Sequence, residues 1–181
     1  MEKKIYVIRH CQAEGQPPES QLTAEGKKQA EELADFLCSI KVNRIISSPF
    51  LRAVETIMPL AQKENIEIEI DERLAERVLS ANSMPDWLEK LKVTFSDMDL
   101  RYEGGESSKD ATNRIVEAAS EIFASQIQRT VIVTHGNIMS LLLNHYNKSF
   151  GFNEWQQLSN PDVFLLRFKN KEVHTERVWR D

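Results

Sequence analysis

The chain alternates between two hydrophobic periods. Short apolar runs, which are typical of strands buried on both faces, occupy residues 4–9, 44–47 and 130–134. Isoleucine stands at every second position from Ile66 to Ile70, with acidic residues between, and this pattern predicts a strand with one exposed face. Towards the end of the sequence, residues 163–168 and 173–178 are typical of a hairpin that closes the fold.

Helical spacing of apolar residues separates these predicted strands. Thr23 is a candidate N-cap for a first helix, whose apolar face consists of Ala30, Leu33, Ala34 and Leu37. Pro49 suits the first turn of a second helix that ends near Glu64. A third helical pattern covers residues 85–98. Ser107 is a candidate cap for a fourth helix, whose apolar stripe consists of Ile115, Ala118, Ala119, Ile122 and Phe123.

The last predicted helix opens directly after a strand. His135, Gly136 and Asn137 follow the run 130–134, and a stretch rich in leucine comes next. Alternating strands and helices predict an α/β fold with a mostly parallel central sheet. The length of 181 residues predicts one domain that spans residues 1–181. In such sheets, ligands bind beyond the carboxyl ends of the strands.

Composition and charge narrow the classes of function. The chain has 23 Lys and Arg against 28 Asp and Glu, a formal charge of −5, so we expect no nucleic-acid partner. No apolar run has the length of a membrane-spanning helix, and the N-terminus lacks the apolar core of a signal peptide. Cys11 and Cys38 show no metal or redox spacing, which predicts reduced thiols and a cytoplasmic location. No heptad or apolar stripe indicates an oligomeric state.

The residues after each predicted strand suggest a chemistry. Arg9 and His10 end the first strand, Arg52 lies just after the second, Glu76 follows the third, and His135 follows the run 130–134. If these side chains meet, they form a positive pocket with one carboxylate at its rim. Taken singly, each is more often a surface or structural residue, so the inference depends on their joint placement.

Phosphoryl transfer through histidine requires such a set. A neutral imidazole of fixed tautomer attacks phosphorus, and arginines with a second imidazole bind the charged oxygens. A helix that opens at Gly136 adds backbone N–H groups to the phosphate site. A carboxylic acid such as Glu76 protonates the leaving alkoxide. Because no cluster of metal ligands stands in the sequence, we expect a mechanism without metal or other cofactor.

The same segments carry a family resemblance. The strings IYVIRHCQAEG, LTAEGKKQAEELADFL, RIISSPFLRAVET, DERLAE, GGES and VIVTHGNIMSLLL, in this order, resemble the compact bacterial branch of the histidine phosphatase superfamily, the phosphoglycerate mutase-like clan. These motifs cover the chain from Ile5 to about Leu143. The resemblance implies a three-layer α/β/α sandwich with a mostly parallel sheet. It also implies a phosphatase that acts on small phosphorylated substrates.

The resemblance further implies roles for particular residues. His10 is the implied nucleophile that becomes phosphohistidine, and the implied phosphate-binding partners are Arg9, Arg52 and His135. Glu76 is the implied proton donor to the leaving group and the later base for water. Gln16, or alternatively Gln12, would add a polar contact in the loop after the nucleophile. Glu106 in GGES matches a recurrent motif, for which a helix-capping role and a catalytic role both remain open.

Two departures from the family pattern bear on function. Cys11 stands where relatives carry glycine, so its side chain must be accommodated beside the nucleophile. Its thiol is either a small buried side chain or a group whose oxidation gates activity. The stretch RVLSANSMPDW after Glu76 lacks the Gly-x-Trp-Glu-Gly run of many relatives. Because that segment helps to form the pocket wall, the identity of the substrate stays open.

Three hypotheses follow from the sequence. The leading one is a metal-independent phosphomonoesterase that uses His10. The second is a mutase that returns the phosphoryl group to a bound phosphoglycerate, for which the segment between Glu76 and Glu106 is a short cap. The third is a phosphate-binding regulatory protein without turnover.

Overall fold

A six-stranded mixed sheet forms the centre of the computed structural model, which describes residues 1–180. The strand order is β3-β2-β4-β1-β5-β6. The strands are β1 (Lys3–Arg9), β2 (Arg44–Ser47), β3 (Ile68–Ile70), β4 (Arg129–Thr134), β5 (Asp162–Lys169) and β6 (Glu172–Arg177). The pairs β1–β4, β4–β2 and β2–β3 are parallel. Strand β5 pairs antiparallel with both β1 and β6, so it alone points in the opposite direction. The predicted mostly parallel sheet and closing hairpin are therefore confirmed.

Six helices connect and cover these strands. They are α1 (Ala24–Cys38), α2 (Leu51–Glu64), α3 (Trp87–Val93), α4 (Ser108–Ala124), α5 (Gly136–Tyr146) and α6 (Phe152–Gln156). The helix α2 begins two residues after Pro49, and α3 is shorter than the predicted range 85–98 because turns follow Val93. A short 3-10 turn at Glu72–Leu74 and the helix α6 were not predicted from the sequence.

The helix caps form as the sequence predicts. Thr23 Oγ1 accepts a hydrogen bond of 2.9 Å from Gly26 N at the start of α1. Ser107 Oγ accepts from Asp110 N, and the Asp110 carboxylate accepts from Ser107 N, which completes a capping box at α4. The predicted apolar faces of both helices are buried.

The core lies in two layers, one on each face of the sheet. Successive residues of β1 alternate between them, since Ile5 and Val7 pack with α4 and α5, whereas Tyr6 and Ile8 pack with α1 and α2. This arrangement is the expected three-layer α/β/α sandwich. Within residues 1–180, no helix is long and apolar enough to cross a membrane.

Candidate active site

The register of β1 and β4 places two histidines side by side. Arg9 lies opposite Thr134 at the ends of this parallel pair, and the residue that follows each strand is a histidine. The His10 backbone N–H donates to the Thr134 carbonyl at 3.1 Å. The ring centroids of His10 and His135 lie 5.2 Å apart. Parallel pairing therefore joins two imidazoles that are far apart in the sequence.

The hydrogen bonds of His10 define which nitrogen carries its proton. Nδ1 lies 2.7 Å from the Cys11 carbonyl oxygen, which can only accept, so Nδ1 is the donor. Nε2 accepts a hydrogen bond of 3.2 Å from Arg52 Nε. Burial and the positive charges of Arg52 and Arg9 lower the pKa of His10 to about 4, although the hydrogen bond to the Cys11 carbonyl acts to raise it. At neutral pH the ring is therefore uncharged, with its lone pair on Nε2.

Ser48 holds the second imidazole. Its hydroxyl accepts from Phe50 N at 3.2 Å and lies 2.7 Å from His135 Nε2. His135 is fully buried, and burial lowers its pKa well below the usual range. Its Nδ1 has no hydrogen-bond partner among the described residues. No role for Ser48 was predicted from the sequence, although a serine pair directly after a buried strand was the available signal.

Arg52 enters the site from the first turn of α2. Its Nη1 donates to the carbonyls of Gln16 at 3.0 Å and Pro17 at 2.9 Å, and burial lowers its pKa. Gln16 thus touches Arg52 through its backbone, and it also lines the adjoining cavity. The alternative residue Gln12 instead accepts a 2.8 Å hydrogen bond from Thr23 Oγ1 at the start of α1. The two glutamines are therefore held by different parts of the structure.

Arg9 lies against the start of α5. Its Nη1 donates to the Leu158 carbonyl at 3.0 Å, and its buried Nε has no partner within residues 1–180. A Cβ atom on Gly136 would lie 3.0 Å from that Nε, so glycine leaves room for the guanidinium. Gly136 therefore belongs to the site through its lack of a side chain.

Glu76 occupies the N-terminus of α5, where the sequence predicted free N–H groups for phosphate. Its two carboxylate oxygens accept from Asn137 N at 3.1 Å and Ile138 N at 3.0 Å, and Arg77 N donates at 2.8 Å. Asn137 N and Ile138 N are engaged by the carboxylate, which corrects the expectation that these two groups bind phosphate, whereas phosphate binding at Gly136 stays a prediction. The three N–H groups hold the Glu76 carboxyl group at the start of α5, whose N-cap residue is His135.

A cavity of about 420 Å³ adjoins these side chains. Its lining consists of Gln16, Pro18, Phe50, Arg52, Glu76, Arg77, Val78, Leu79, Ser80, Asn82, Met84 and Trp87. Most of the wall comes from the segment after Glu76 whose sequence departs from the family pattern. Among residues 1–180, no cluster of three or more His, Cys, Asp or Glu side chains has a geometry suited to a metal ion.

Glu106 does not fill the helix-capping role that the sequence left open. Its carboxylate pairs with Arg114 Nε at 2.8 Å and accepts from Val78 N at 3.0 Å. Ser107 and Asp110 form the capping box of α4, so Glu106 does not cap that helix. The contacts of Glu106 fix the chain that forms the cavity wall.

Cys11 is accommodated as a small buried residue. Its side chain packs in the core between the sheet and the helices α1 and α2. Its backbone N–H donates to Thr56 Oγ1 at 2.9 Å, and Thr56 Oγ1 donates to the Arg52 carbonyl at 2.7 Å. Burial raises the pKa of the Cys11 thiol to about 12. The thiolate form that oxidation requires is therefore strongly disfavoured.

The other histidines, His145 and His174, are exposed.

Paired neutral imidazoles and arginines beyond the carboxyl ends of parallel strands define an α/β protein with an anion-binding site. The family model of the histidine phosphatase superfamily (branch 1) matches residues 5–180, and the chain belongs to this superfamily.

Similarity to individual proteins agrees with this family. Phosphoserine phosphatase 1 of Hydrogenobacter thermophilus is 27% identical over 145 residues, which cover 72% of this chain and 69% of that protein. A probable phosphoglycerate mutase of Salmonella choleraesuis is 28% identical over 158 residues, with coverages of 78% and 73%. Among solved structures, a mycobacterial glucosyl-3-phosphoglycerate phosphatase superposes with a TM-score of 0.78 at 21% identity, covering 98% of this chain and 97% of that one.

Proposed function

We propose that the protein is a phosphomonoesterase, which transfers a phosphoryl group from a small ester to Nε2 of His10 and then to water. The observation that carries this proposal is the state of His10. Its Nδ1 proton is engaged by the Cys11 carbonyl, and its pKa of about 4 keeps the ring neutral at physiological pH. A neutral imidazole with a lone pair on Nε2 is the form that attacks phosphorus.

The neighbours of His10 supply the charge that a phosphoryl group needs. Arg9 Nε and His135 Nδ1 are buried nitrogens without partners in the described chain, and both are suited to donate to phosphate oxygens. When the Ser48 hydroxyl donates to His135 Nε2, the proton of that ring lies on Nδ1. A phosphate bound beside His10 takes over the Arg52 Nε–H that now points to Nε2.

The reaction balances with these groups and water. His10 Nε2 forms the N–P bond as the ester P–O bond breaks, and protonated Glu76 gives its proton to the leaving oxygen. Glu76 then takes a proton from water as the water oxygen attacks phosphorus. The N–P bond breaks, inorganic phosphate leaves and neutral His10 is restored. The arginines neutralise the charge of the phosphoryl oxygens and His135 donates a hydrogen bond to them, so we propose a reaction that needs no metal ion.

Two of the similar proteins are named for the hydrolysis of phosphate esters, which supports a phosphatase over the alternatives. A third is named a probable phosphoglycerate mutase, so transfer to an acceptor is the competing reaction. The two reactions share the first step and differ in the fate of the phosphohistidine.

The test is phosphate release from an aryl phosphate in the presence of a chelator. We expect wild type to release phosphate and His10→Ala to lose about 10⁴-fold or more in kcat/KM, because the nucleophile is removed. His145→Ala is the matched control, since that histidine is exposed, and it should retain wild-type activity. A rapidly quenched wild type should carry one added phosphoryl group on His10 by mass spectrometry.

Three outcomes would contradict the proposal. They are a folded wild type without phosphate release, a His10→Ala variant of equal activity, and phosphorylated His10 that discharges only to an added phosphoglycerate. The last outcome would establish the mutase. Phosphorylation without any discharge would instead establish the binding protein.

A further inference from the structure

The cavity beside the proposed phosphate-binding side chains has a largely apolar wall. Val78 and Trp87, large apolar residues with relative exposures of 48% and 49%, both line it. Leu79, Met84 and Phe50 extend the apolar lining. Exposed apolar side chains gathered around one cavity, rather than scattered over a surface, indicate a contact surface for a ligand.

No side-chain cation in this lining is available to a second anionic group. The lining contains two arginines, and Arg52 is bound at the phosphate end of the cavity. The guanidinium of Arg77 is buried, and all three of its nitrogens donate hydrogen bonds within the protein. Their acceptors are the Glu106 carbonyl, Thr94 Oγ1 and Ser108 Oγ.

Two polar residues of the wall, Ser80 and Asn82, donate hydrogen bonds to Glu103. Asn82 Nδ2 donates to the Glu103 carboxylate at 3.1 Å, and Ser80 Oγ donates to the Glu103 carbonyl at 3.1 Å. A carboxylate on the substrate would therefore lie beside the acidic residue Glu76 and find no available side-chain cation in the lining. Removing a carboxylate from water without a partner is strongly unfavourable.

The wall is fixed before any ligand binds. Glu106 N donates to the Val78 carbonyl at 2.7 Å, and Ala81 N donates to the Glu103 carbonyl at 2.9 Å. A Cβ atom on Gly105 would lie 2.1 Å from the Leu79 carbonyl oxygen, so this close approach requires glycine. A rigid wall selects the leaving group by its shape and charge.

We propose that the esters cleaved at this site have an uncharged, apolar leaving group that packs on Val78, Met84 and Trp87, and that esters with a carboxylate on the leaving group are poor substrates. This inference rests on the proposed phosphatase function and names its substrate class. It separates the protein from relatives whose names indicate phosphoserine or glucosyl-3-phosphoglycerate as substrate.

The first experiment varies the polarity and the charge of the leaving group. The substrates are 4-propylphenyl phosphate, 4-(carbamoylmethyl)phenyl phosphate and 4-(carboxymethyl)phenyl phosphate, whose phosphate ends are alike. We expect kcat/KM to be highest for the propyl ester and about tenfold lower for the carboxylate than for its neutral amide isostere. A carboxylate ester cleaved as well as the amide, in a reaction that His10→Ala abolishes, would overturn this inference and leave the proposed function intact.

The second experiment removes one large side chain from the wall, that of Trp87. Trp87→Ala should lower kcat/KM for the propyl ester about fivefold and leave the inhibition constant of inorganic phosphate unchanged, because the ring contacts only the leaving group. Leu88→Ala is the matched control, since its side chain is exposed on the same helix and does not line the cavity. Equal effects of the two variants would overturn the inference.

Binding without turnover separates the two proposals. Calorimetry with 4-propylbenzylphosphonate and 4-(carboxymethyl)benzylphosphonate measures the preference of the wall even in an inactive protein. If wild type releases no phosphate, the proposed function fails, and the phosphonate pair still decides the inference. Preference for the propyl compound would support the apolar wall, and equal or weaker binding of it would overturn it.

Discussion

At the scale of single residues, the site depends on backbone groups as much as on side chains. The Cys11 carbonyl, rather than its thiol, holds His10, so the exchange of glycine for cysteine leaves that contact in place. Thr56 secures the Cys11 peptide from the other side through its hydroxyl. Position 11 therefore tolerates a side chain because the core has space for it.

The role of Glu76 can be separated from its position on α5. Glu76→Gln keeps one oxygen, which can still accept from Ile138 N and Arg77 N, but it loses the oxygen that accepts from Asn137 N and the transferable proton. We expect kcat/KM to fall about 100-fold or more for an alkyl phosphate, whose leaving group needs a proton. For 4-nitrophenyl phosphate the fall should be less than about tenfold. Equal losses on both substrates would show that Glu76 acts only through the structure.

The thiol of Cys11 should be unreactive in the native protein. Because burial raises its pKa to about 12, its rate of alkylation at pH 8 should be about 1,000-fold below that of an ordinary thiol. Cys38 is partly exposed and serves as the internal comparison. Mass spectrometry after brief alkylation should find Cys11 modified only in denaturant. Rapid native modification of Cys11 would restore the redox interpretation.

At the scale of elements, the wall of the cavity and the strand ends that carry His10 and His135 have different supports. The sheet fixes His10 and His135, whereas the loop around Gly105 fixes residues 77–82. This division means that separate parts of the chain hold the two sides of the cavity.

A substitution at Gly105 tests this division. In Gly105→Ala the new Cβ would lie 2.1 Å from the Leu79 carbonyl oxygen, so the loop must move, and we expect a loss of about 2 kcal/mol in the free energy of unfolding. In Gly151→Ala the nearest atom would be 3.5 Å away, and the change should stay within about 0.5 kcal/mol. Urea denaturation measures both. Equal stability of the two variants would contradict the tight packing of the wall.

At the scale of the whole molecule, burying two histidines makes stability depend on pH. The folded state lowers the pKa of His10 from 6.5 to about 4, so the unfolded chain binds this proton more readily. The contribution of His10 to the free energy of unfolding is fully present above about pH 6.5 and is lost as the pH falls from there towards 4. His135, whose pKa is also lowered, acts in the same direction.

Comparison of wild type with His10→Asn isolates the effect of His10 on the pH dependence of stability. Between pH 7.5 and pH 5, wild type should lose about 2 kcal/mol more unfolding free energy than the variant, from the difference between the two pKa values of His10. Urea titrations at both pH values measure this difference. Parallel losses in both proteins would show that His10 is not held neutral by the fold.

The sequence predicted most of the sheet because its signals are local. The strands β2 and β4 lie within one residue of the predicted ranges, and the caps at Thr23 and Ser107 form through neighbouring residues. The short helix α6 and the turn at Glu72–Leu74 carry too few residues to show a period. The predicted end of α3 was wrong because its pattern continues into turns.

By itself, the sequence determined the α/β class, the apolar faces of the helices and the set of polar residues that follow the strands, since each depends on spacing along the chain. Only the tertiary structure decided how those residues meet. The β1–β4 register sets the distance between the imidazoles, Ser48 engages His135, and Glu76 takes the N-terminus of α5 that the sequence assigned to phosphate. These are contacts between residues distant in sequence, and they arise only when separate strands pair and helices pack on the sheet.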